Sequence, residues 1–249
     1  MMFIVRSALL LVLTCSFATH SHANPALLNH AQAAFQAMSA MYMKALSQGS
    51  PKYQTDLDKY KEQAAASLVE FQQQDPLLGG QWMNRWDSFA NDLKAEYSPE
   101  YDWDVDSAVR RDARSYLSDL YALITSDSSL QESANQGLLA QVEIQAITAR
   151  FFDVSSSYNG TISLSPQDAS KLEPKMASKQ FKARLDVLAK SSNGAHGKSI
   201  ESAKSKWEFV EDSVVNYSDQ SAYFLVYATK NKISKVLQSV GDSLAANTI

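Results

Sequence analysis

The stretch ALLNHAQAAFQAMSAMYMKAL, residues 26–46, decides the fold class of this chain. Its apolar residues recur three and four positions apart, which places them along one face of an α-helix. The same spacing returns in seven further segments, which are separated by short runs of Gly, Pro, Ser, Asn and Asp. Alternation typical of strands is nearly absent. We therefore predict an all-α protein built from eight amphipathic helices.

The second half of the chain looks like a diverged copy of the first half. Residues 39–42 (SAMY) lie 116 positions before residues 155–158 (SSSY), and Trp86 pairs with Trp207 at a spacing of 121. Three apolar pairs share a spacing of 117, namely Val109 with Val226, Tyr116 with Ile233, and Leu120 with Leu237. A nearly constant offset in separate segments indicates an internal repeat. A duplicated helical unit is typical of a scaffold or binding protein.

The repeat predicts the domain organisation. We expect two tandem, internally duplicated, antiparallel four-helix bundles, the first formed by residues 24–126 and the second by residues 127–249. The polar stretch at residues 125–129 (TSDSS) is the expected connector. The alternative is a single elongated bundle assembled from both halves, with the fifth helix continuing from the fourth.

Residues 1–23 have the pattern of a secretory signal peptide. Arg6 supplies a positive charge, residues 8–13 form an apolar run too short to span a bilayer, and residues 21–23 (SHA) fit a cleavage site. An alternative is a lipoprotein signal ending at Cys15, although the Thr directly before this cysteine fits poorly. We predict an exported protein, with the bacterial periplasm as its compartment.

Composition excludes several classes of function. Cys15 is the only cysteine, so the mature chain would have neither a disulfide nor a thiolate nucleophile. Without Arg6 the 23 basic residues become 22 against 27 acidic residues, a formal charge of −5. This mild acidity argues against nucleic acid as a partner. We find no apolar run of about 18 residues after the signal, so we expect no transmembrane segment in the mature chain.

Histidines are too few for the common catalytic and metal sites. Only His30 and His196 remain after signal removal, and they lie in different halves of the chain. Zinc, di-iron and covalent haem sites therefore lack their usual ligands, and an acid–base histidine is scarce. We expect no enzyme activity, no catalytic residues, no metal and no cofactor.

Three aspartates have the alternate spacing of a calcium-binding loop. Asp102, Asp104 and Asp106 fit this spacing, but Ser107 stands where the turn glycine belongs and Ala113 stands at the twelfth position. Carboxylates also favour the N-termini of helices. We expect these aspartates to cap the fourth helix.

Arg150 is the strongest candidate for a ligand contact. Its neighbours belong to the apolar stripe of the fifth helix, so the guanidinium is expected to point inward, where it needs an anionic partner. Asp153 lies three residues later and could pair with it along the helix. The alternative partner is a bound carboxylate or similar small anion. The basic patch of Arg110, Arg111 and Arg114 on the fourth helix is interpreted instead as a solvated or salt-bridged face.

Aromatic residues form a second candidate surface. Tyr97, Tyr101 and Trp103 lie in a predicted loop that has no counterpart in the second half. Loops held on a rigid helical scaffold often carry binding residues. Trp86 and Trp207 occupy equivalent places in the two copies and are predicted to be core anchors.

Residues 149–156 (ARFFDVSS) resemble the marker string of the periplasmic N-terminal domain of type IV pili chemotaxis transducers, Gly-Arg-Gln-Arg-Met-Leu-Ser-Gln. Arg150 and Ser155 match this string, Val154 is an apolar substitute, and Trp207 fits the later helix of that family, which bears a tryptophan. Phenylalanines stand where the family has its glutamine and second arginine. The resemblance implies a helical bundle that senses a ligand or a partner.

These observations together predict an exported helical binding or adaptor protein related to sensing. The alternative is a structural or assembly factor of an envelope machine such as a pilus or a secretion complex. An envelope or membrane protein is the expected partner, and a small anion is the expected ligand. The candidate ligand-binding residues are Arg150, Asp153, Ser155, Tyr97, Tyr101 and Trp103.

Overall fold

A computed structural model of the chain describes residues 25–160, 172–191 and 196–246, the last three of them by their backbone alone. Within these ranges the chain forms eight α-helices packed antiparallel, which confirms the predicted all-α class, and one short hairpin. The helices are α1 (Pro25–Leu46), α2 (Pro51–Gln74), α3 (Pro76–Ala90), α4 (Ser107–Ser126), α5 (Gln136–Ser155), α6 (Pro174–Ser191), α7 (Gly197–Asn216) and α8 (Tyr223–Ala246). The predicted signal peptide, with Cys15, lies outside the described residues.

Two helices form the centre of the protein. In α1, 16 of 22 residues are buried, and in α5, 17 of 20 are buried. α1 and α5 pack against each other, while α2 covers α1 and both α6 and α8 cover α5. Such all-round burial differs from the one-sided stripe predicted from sequence, since polar positions of α5 also lie inside the protein.

One hydrophobic core runs through both halves of the chain. The cluster of buried residues extends from Ala26 in α1 to Val240 in α8. Residues of both predicted domains contribute to it, because the contact between α1 and α5 joins them. This continuity favours the alternative in which both halves form one body with a shared core, and it argues against two bundles with separate cores.

The two repeat tryptophans occupy similar places. Trp86 on α3 is buried with its ring 5.2 Å from the ring of His30 and 5.6 Å from that of Tyr116. Trp207 on α7 is buried 5.4 Å from the ring of Phe181, and its indole N–H donates to Ser178. Each tryptophan lies on the third helix described in its half.

Other parts of the repeat differ in environment. Tyr42 is buried within α1, whereas the aligned Tyr158 is 94 % exposed because α5 ends at Ser155. The two glycines at 79–80 lie inside α3, not in the connection between α2 and α3. A side chain at Gly79 would come within 2.5 Å of the backbone of Gln72, so this position needs a glycine for the close approach of the two helices.

His30 is a polar group at the centre of the core of the first half. Its Nδ1–H donates to the carbonyl of Ala64 at 2.9 Å, and its Nε2 therefore accepts from the Tyr116 hydroxyl at 2.7 Å. Burial lowers the pKa of His30 to about 4, although the hydrogen bond to Ala64 opposes this shift. The neutral imidazole thus joins α1 to α2 and α4.

No helix in the described part of the chain has both the length and the apolar character needed to cross a membrane.

Replacement of Trp86 or Trp207 by Ala is expected to lower the free energy of unfolding by about 3–5 kcal/mol each, because each removes a large buried ring. Chemical denaturation measures the loss. Phe209→Ala is the control, since Phe209 lies on α7 but is 71 % exposed, and its effect should stay within about 0.5 kcal/mol. A loss below about 1 kcal/mol in either tryptophan variant would contradict the anchoring role.

The free energy of unfolding should fall as the pH is lowered from about 6.5 to about 4, since His30 takes up its proton at about 6.5 in the unfolded chain but near 4 in the folded protein. The contribution is roughly 3 kcal/mol at 1.36 kcal/mol per pKa unit. His30→Gln should show a flatter pH profile in denaturation experiments, while His196→Gln should keep the wild-type profile. Identical profiles for wild type and His30→Gln would contradict this role of His30.

Candidate functional site

A buried carboxylate on α5 is shared by two arginines of α4. Asp153 accepts from Arg114 through two hydrogen bonds, Nε to Oδ2 at 2.6 Å and Nη2 to Oδ1 at 3.1 Å. Arg110 approaches the same carboxylate with its Nη1 at 3.3 Å from Oδ1. All three side chains are buried. We call Arg110, Arg114, Arg150 and Asp153 the arginine cluster.

Arg110 joins three parts of the chain. Its Nε donates to the carbonyl of Val105 at 3.0 Å, directly before α4. Its Nη1 donates to the carbonyl of Asp153, and its Nη2 donates to the carbonyl of Ser156 at the end of α5. Nη2 also donates to the carboxylate of Asp104 at 2.6 Å. All three nitrogens of the guanidinium therefore donate hydrogen bonds, and these hold the segment before α4 close to the C-terminal end of α5.

Arg150 has a different environment from the other two arginines. It is only 3 % exposed, and its Nη1 lies 3.8 Å from Oδ2 of Asp153, too far for a hydrogen bond. Its Nη2 has no hydrogen-bond partner among the described residues, although the guanidinium lies close enough to the Tyr217 hydroxyl to lower the pKa of that group against the larger opposing effect of burial. A cavity of about 10 Å³ lies beside it, lined also by Tyr42, Arg114 and Asp153.

The cluster carries more positive than negative charge. Three guanidiniums face the buried carboxylate of Asp153 and the half-buried carboxylate of Asp104. Tyr42 adds no negative charge, since burial and then Asp153 raise the pKa of its hydroxyl well above the usual range, although the arginines oppose this shift. An unbalanced buried guanidinium is costly unless an anion or water satisfies it.

The structure places the predicted residues of α5 as follows. Arg150 points inward, as its position in the apolar stripe indicated, but Asp153 pairs mainly with Arg114 and Arg110. Ser155 is half-buried, and its hydroxyl has no partner among the described residues. Of the six candidate ligand-binding residues, only Arg150 and Asp153 therefore lie together in the arginine cluster.

Of the expected solvated or salt-bridged face, the salt-bridged alternative holds for Arg110 and Arg114, because both pair with Asp153 and are buried in the contact between α4 and α5. Arg111 alone is exposed. The signal in the sequence was the spacing of four between Arg110 and Arg114, which places both on one helix face beside the buried Ala113.

The predicted aromatic loop is a two-stranded antiparallel hairpin, β1 (Glu96–Ser98) and β2 (Asp102–Asp104), in which Tyr97 pairs with Trp103. Three residues per strand are too few for an alternation that sequence could reveal. Trp103 packs against Gly49, whose φ of +79° favours glycine, and the ammonium of Lys44 lies 4.8 Å from its ring centroid. Tyr97 and Tyr101 remain exposed, at 60 % and 58 %.

The aspartates near the hairpin have structural roles. Asp104 in β2 pairs with Arg110, which fixes the hairpin to the arginine cluster. Asp106 accepts from the backbone N–H of Ala108 at 2.7 Å and so caps α4, whereas Asp102 and Asp104, which were also predicted to cap this helix, lie in β2. Among the described residues, no group of three or more acidic or histidine side chains could hold a metal ion.

Comparisons with models of protein families, with curated proteins and with solved structures give no match.

Proposed function

We propose that this chain is an exported, non-enzymatic helical binding or adaptor protein, and that it holds a small anion at Arg150. The observation that carries the proposal is the Nη2 group of Arg150, which is buried without a partner among the described residues. Excess positive charge in the arginine cluster supports an anion over a neutral ligand at this place.

The size of the cavity restricts the ligand. A volume of about 10 Å³ is close to the minimum of roughly 10–15 Å³ that holds one water molecule. Chloride fits this description, whereas a polyatomic anion such as gluconate does not. Tyr42 and the apolar residues beside it would keep the bound anion away from solvent and so strengthen its attraction to Arg150.

Chloride should stabilise the protein more than gluconate does at equal ionic strength, because gluconate is too large for the cavity. At chloride concentrations about tenfold above the Kd, the expected gain is about 1.4 kcal/mol, or about 3–5 °C in Tm. Thermal-shift titrations measure it. Arg150→Gln should remove the difference between the two salts, and Arg111→Gln, which changes an exposed arginine, should retain it. Equal Tm values in both salts for the wild type would contradict the anion site.

A second candidate function, the adaptor role, is supported by the hairpin. Tyr97 and Tyr101 are exposed aromatic residues on a hairpin that Asp104 and Arg110 hold in place. Exposed aromatic side chains on a rigid support are typical of protein interfaces. The proposed partner is an envelope or membrane protein, which fits both a sensing role and the alternative role in assembling an envelope machine.

Immobilised mature protein should capture a partner from detergent-solubilised envelopes of the source cells, and Tyr97→Ser together with Tyr101→Ser should lose that capture. The control is Phe209→Ser, which changes an exposed aromatic residue on α7, away from the hairpin. Capture that is equal in the double variant and the wild type would contradict the interface.

Export by residues 1–23, an origin by duplication and a sensing role are parts of the same proposal. The duplication is supported by the buried pair Trp86 and Trp207. The sensing role is supported by the resemblance of residues 149–156 to pilus chemotaxis transducers. Since those receptors signal through a membrane span, we propose that this chain passes its signal to a separate membrane protein.

A further inference from the structure

A wide groove lies on the side of the protein formed by α1, α2, α5 and α8. Its volume is about 750 Å³, within the range of roughly 300–1,000 Å³ that is usual for ligand sites. At one place α2 and α8 touch, where the Tyr227 hydroxyl donates to Asp56 at 3.0 Å and the Tyr53 ring packs edge-on against that of Tyr227. Along their following turns the same two helices form opposite walls of the groove.

Side-chain amides are the main polar groups of this groove. They include Asn29, Gln32 and Gln36 on α1, Gln63 on α2, and Asn231 and Gln238 on α8. The three amides of α1 follow one face of the helix over about 10 Å at 1.5 Å per residue. On α8 the lining residues follow one face from 231 to 242, over about 16 Å. The floor is an amide pair, in which Gln32 donates to the buried Gln141 at 2.9 Å.

This arrangement matches a polypeptide backbone in chemistry and in length. Each carboxamide presents one acceptor oxygen and an NH₂ donor in a single plane, as does the peptide group that it would bind. An extended chain advances about 3.3 Å per residue, so about 16 Å accommodates four or five residues. Charged residues in the lining are few and exposed, namely Lys59, Lys235 and Asp242, whereas the floor is uncharged.

A carbohydrate would fit the groove less well. Sugar rings usually pack their C–H face on an open aromatic ring. Tyr60 is the one aromatic residue among the lining side chains described, and it is half-buried. The ammonium of Lys59 lies 5.4 Å from the centroid of this ring and covers one face.

We infer that the groove between α1, α2, α5 and α8 binds an extended, uncharged polypeptide segment of a partner protein through hydrogen bonds from its side-chain amides to the backbone of the segment. This site is separate from the anion site at Arg150, and either can be absent without the other. The residues of the segment that face out of the groove are free to vary, since the proposed contacts are to the backbone.

The test uses the mature chain labelled with ¹⁵N and follows the side-chain NH₂ signals of Asn and Gln by NMR. The probe is the capped peptide acetyl-Ala-Ser-Ala-Ser-amide, titrated to about 10 mM, well above the millimolar Kd expected for so short a segment. The NH₂ signals of the groove residues should shift and saturate, and those of exposed amides elsewhere should not. Cellotetraose, titrated in the same way, should leave the groove signals unchanged.

Gln36→Ala combined with Gln238→Ala removes one lining amide from α1 and one from α8, and it retains a strong helix former at both positions. The apparent affinity for the peptide should fall at least about tenfold with two hydrogen bonds lost. Gln73→Ala, an exposed position of α2 outside the groove, is the control and should bind as the wild type does. Shifts with cellotetraose alone, or no shift with either probe, would overturn the proposal.

Discussion

The buried ion pairs between Asp153 and two arginines of α4 are the interaction on which the rest of the structure depends. The carboxylate lies at the C-terminal end of the central helix α5 and accepts from Arg114 and Arg110 of α4. A buried ion pair adds little net stability compared with well-packed apolar residues, but the loss of one partner leaves a buried charge at a cost of about 3–5 kcal/mol. The pair therefore specifies which end of α5 meets α4. The position of the hairpin depends on the same arginine, because Arg110 also donates a hydrogen bond to Asp104 in β2.

Buried polar contacts join the first helix to the fourth in each half of the chain. In the first half, His30 of α1 accepts from Tyr116 of α4. In the second half, Gln145 lies 115 positions after His30, and on α5 it donates to Ser234 and accepts from Lys230 of α8. Burial lowers the pKa of this lysine to about 7. Different residues thus join the corresponding pair of helices, as expected if the two copies kept their packing while their polar contacts diverged.

Periodicity predicted the helices of this protein, but it could not predict their arrangement. The apolar stripes predicted eight helices, since each stripe must be buried somewhere, and the stretch 26–46 agrees closely with α1. Sequence could not reveal that α5 is buried on all sides. Gln141 and Gln145 form hydrogen bonds with residues that are distant in the chain, and Arg150 lies beside a cavity. Arg150 was predicted as a candidate because it lies in the apolar stripe of α5, whereas Arg110 and Arg114 were assigned to a solvated or salt-bridged face and their burial was not predicted. Their partner Asp153 lies about 40 residues later, a distance at which helix spacing gives no information.

Both proposed sites share α5, and this limits how binding could become a signal. Gln141 lies in the floor of the groove and Arg150 beside the anion cavity, about 14 Å apart along the helix at 1.5 Å per residue. Between them, Glu143 is held by two hydrogen bonds from Arg184 of α6. Transmission between sites requires an element with two alternative arrangements. A helix held by buried ion pairs at Glu143 and Asp153 is poorly suited to move, so a signal would have to pass through the more exposed elements around it. The hairpin is the best placed of these, since it contacts Arg110 of the cluster and carries the exposed Tyr97 and Tyr101.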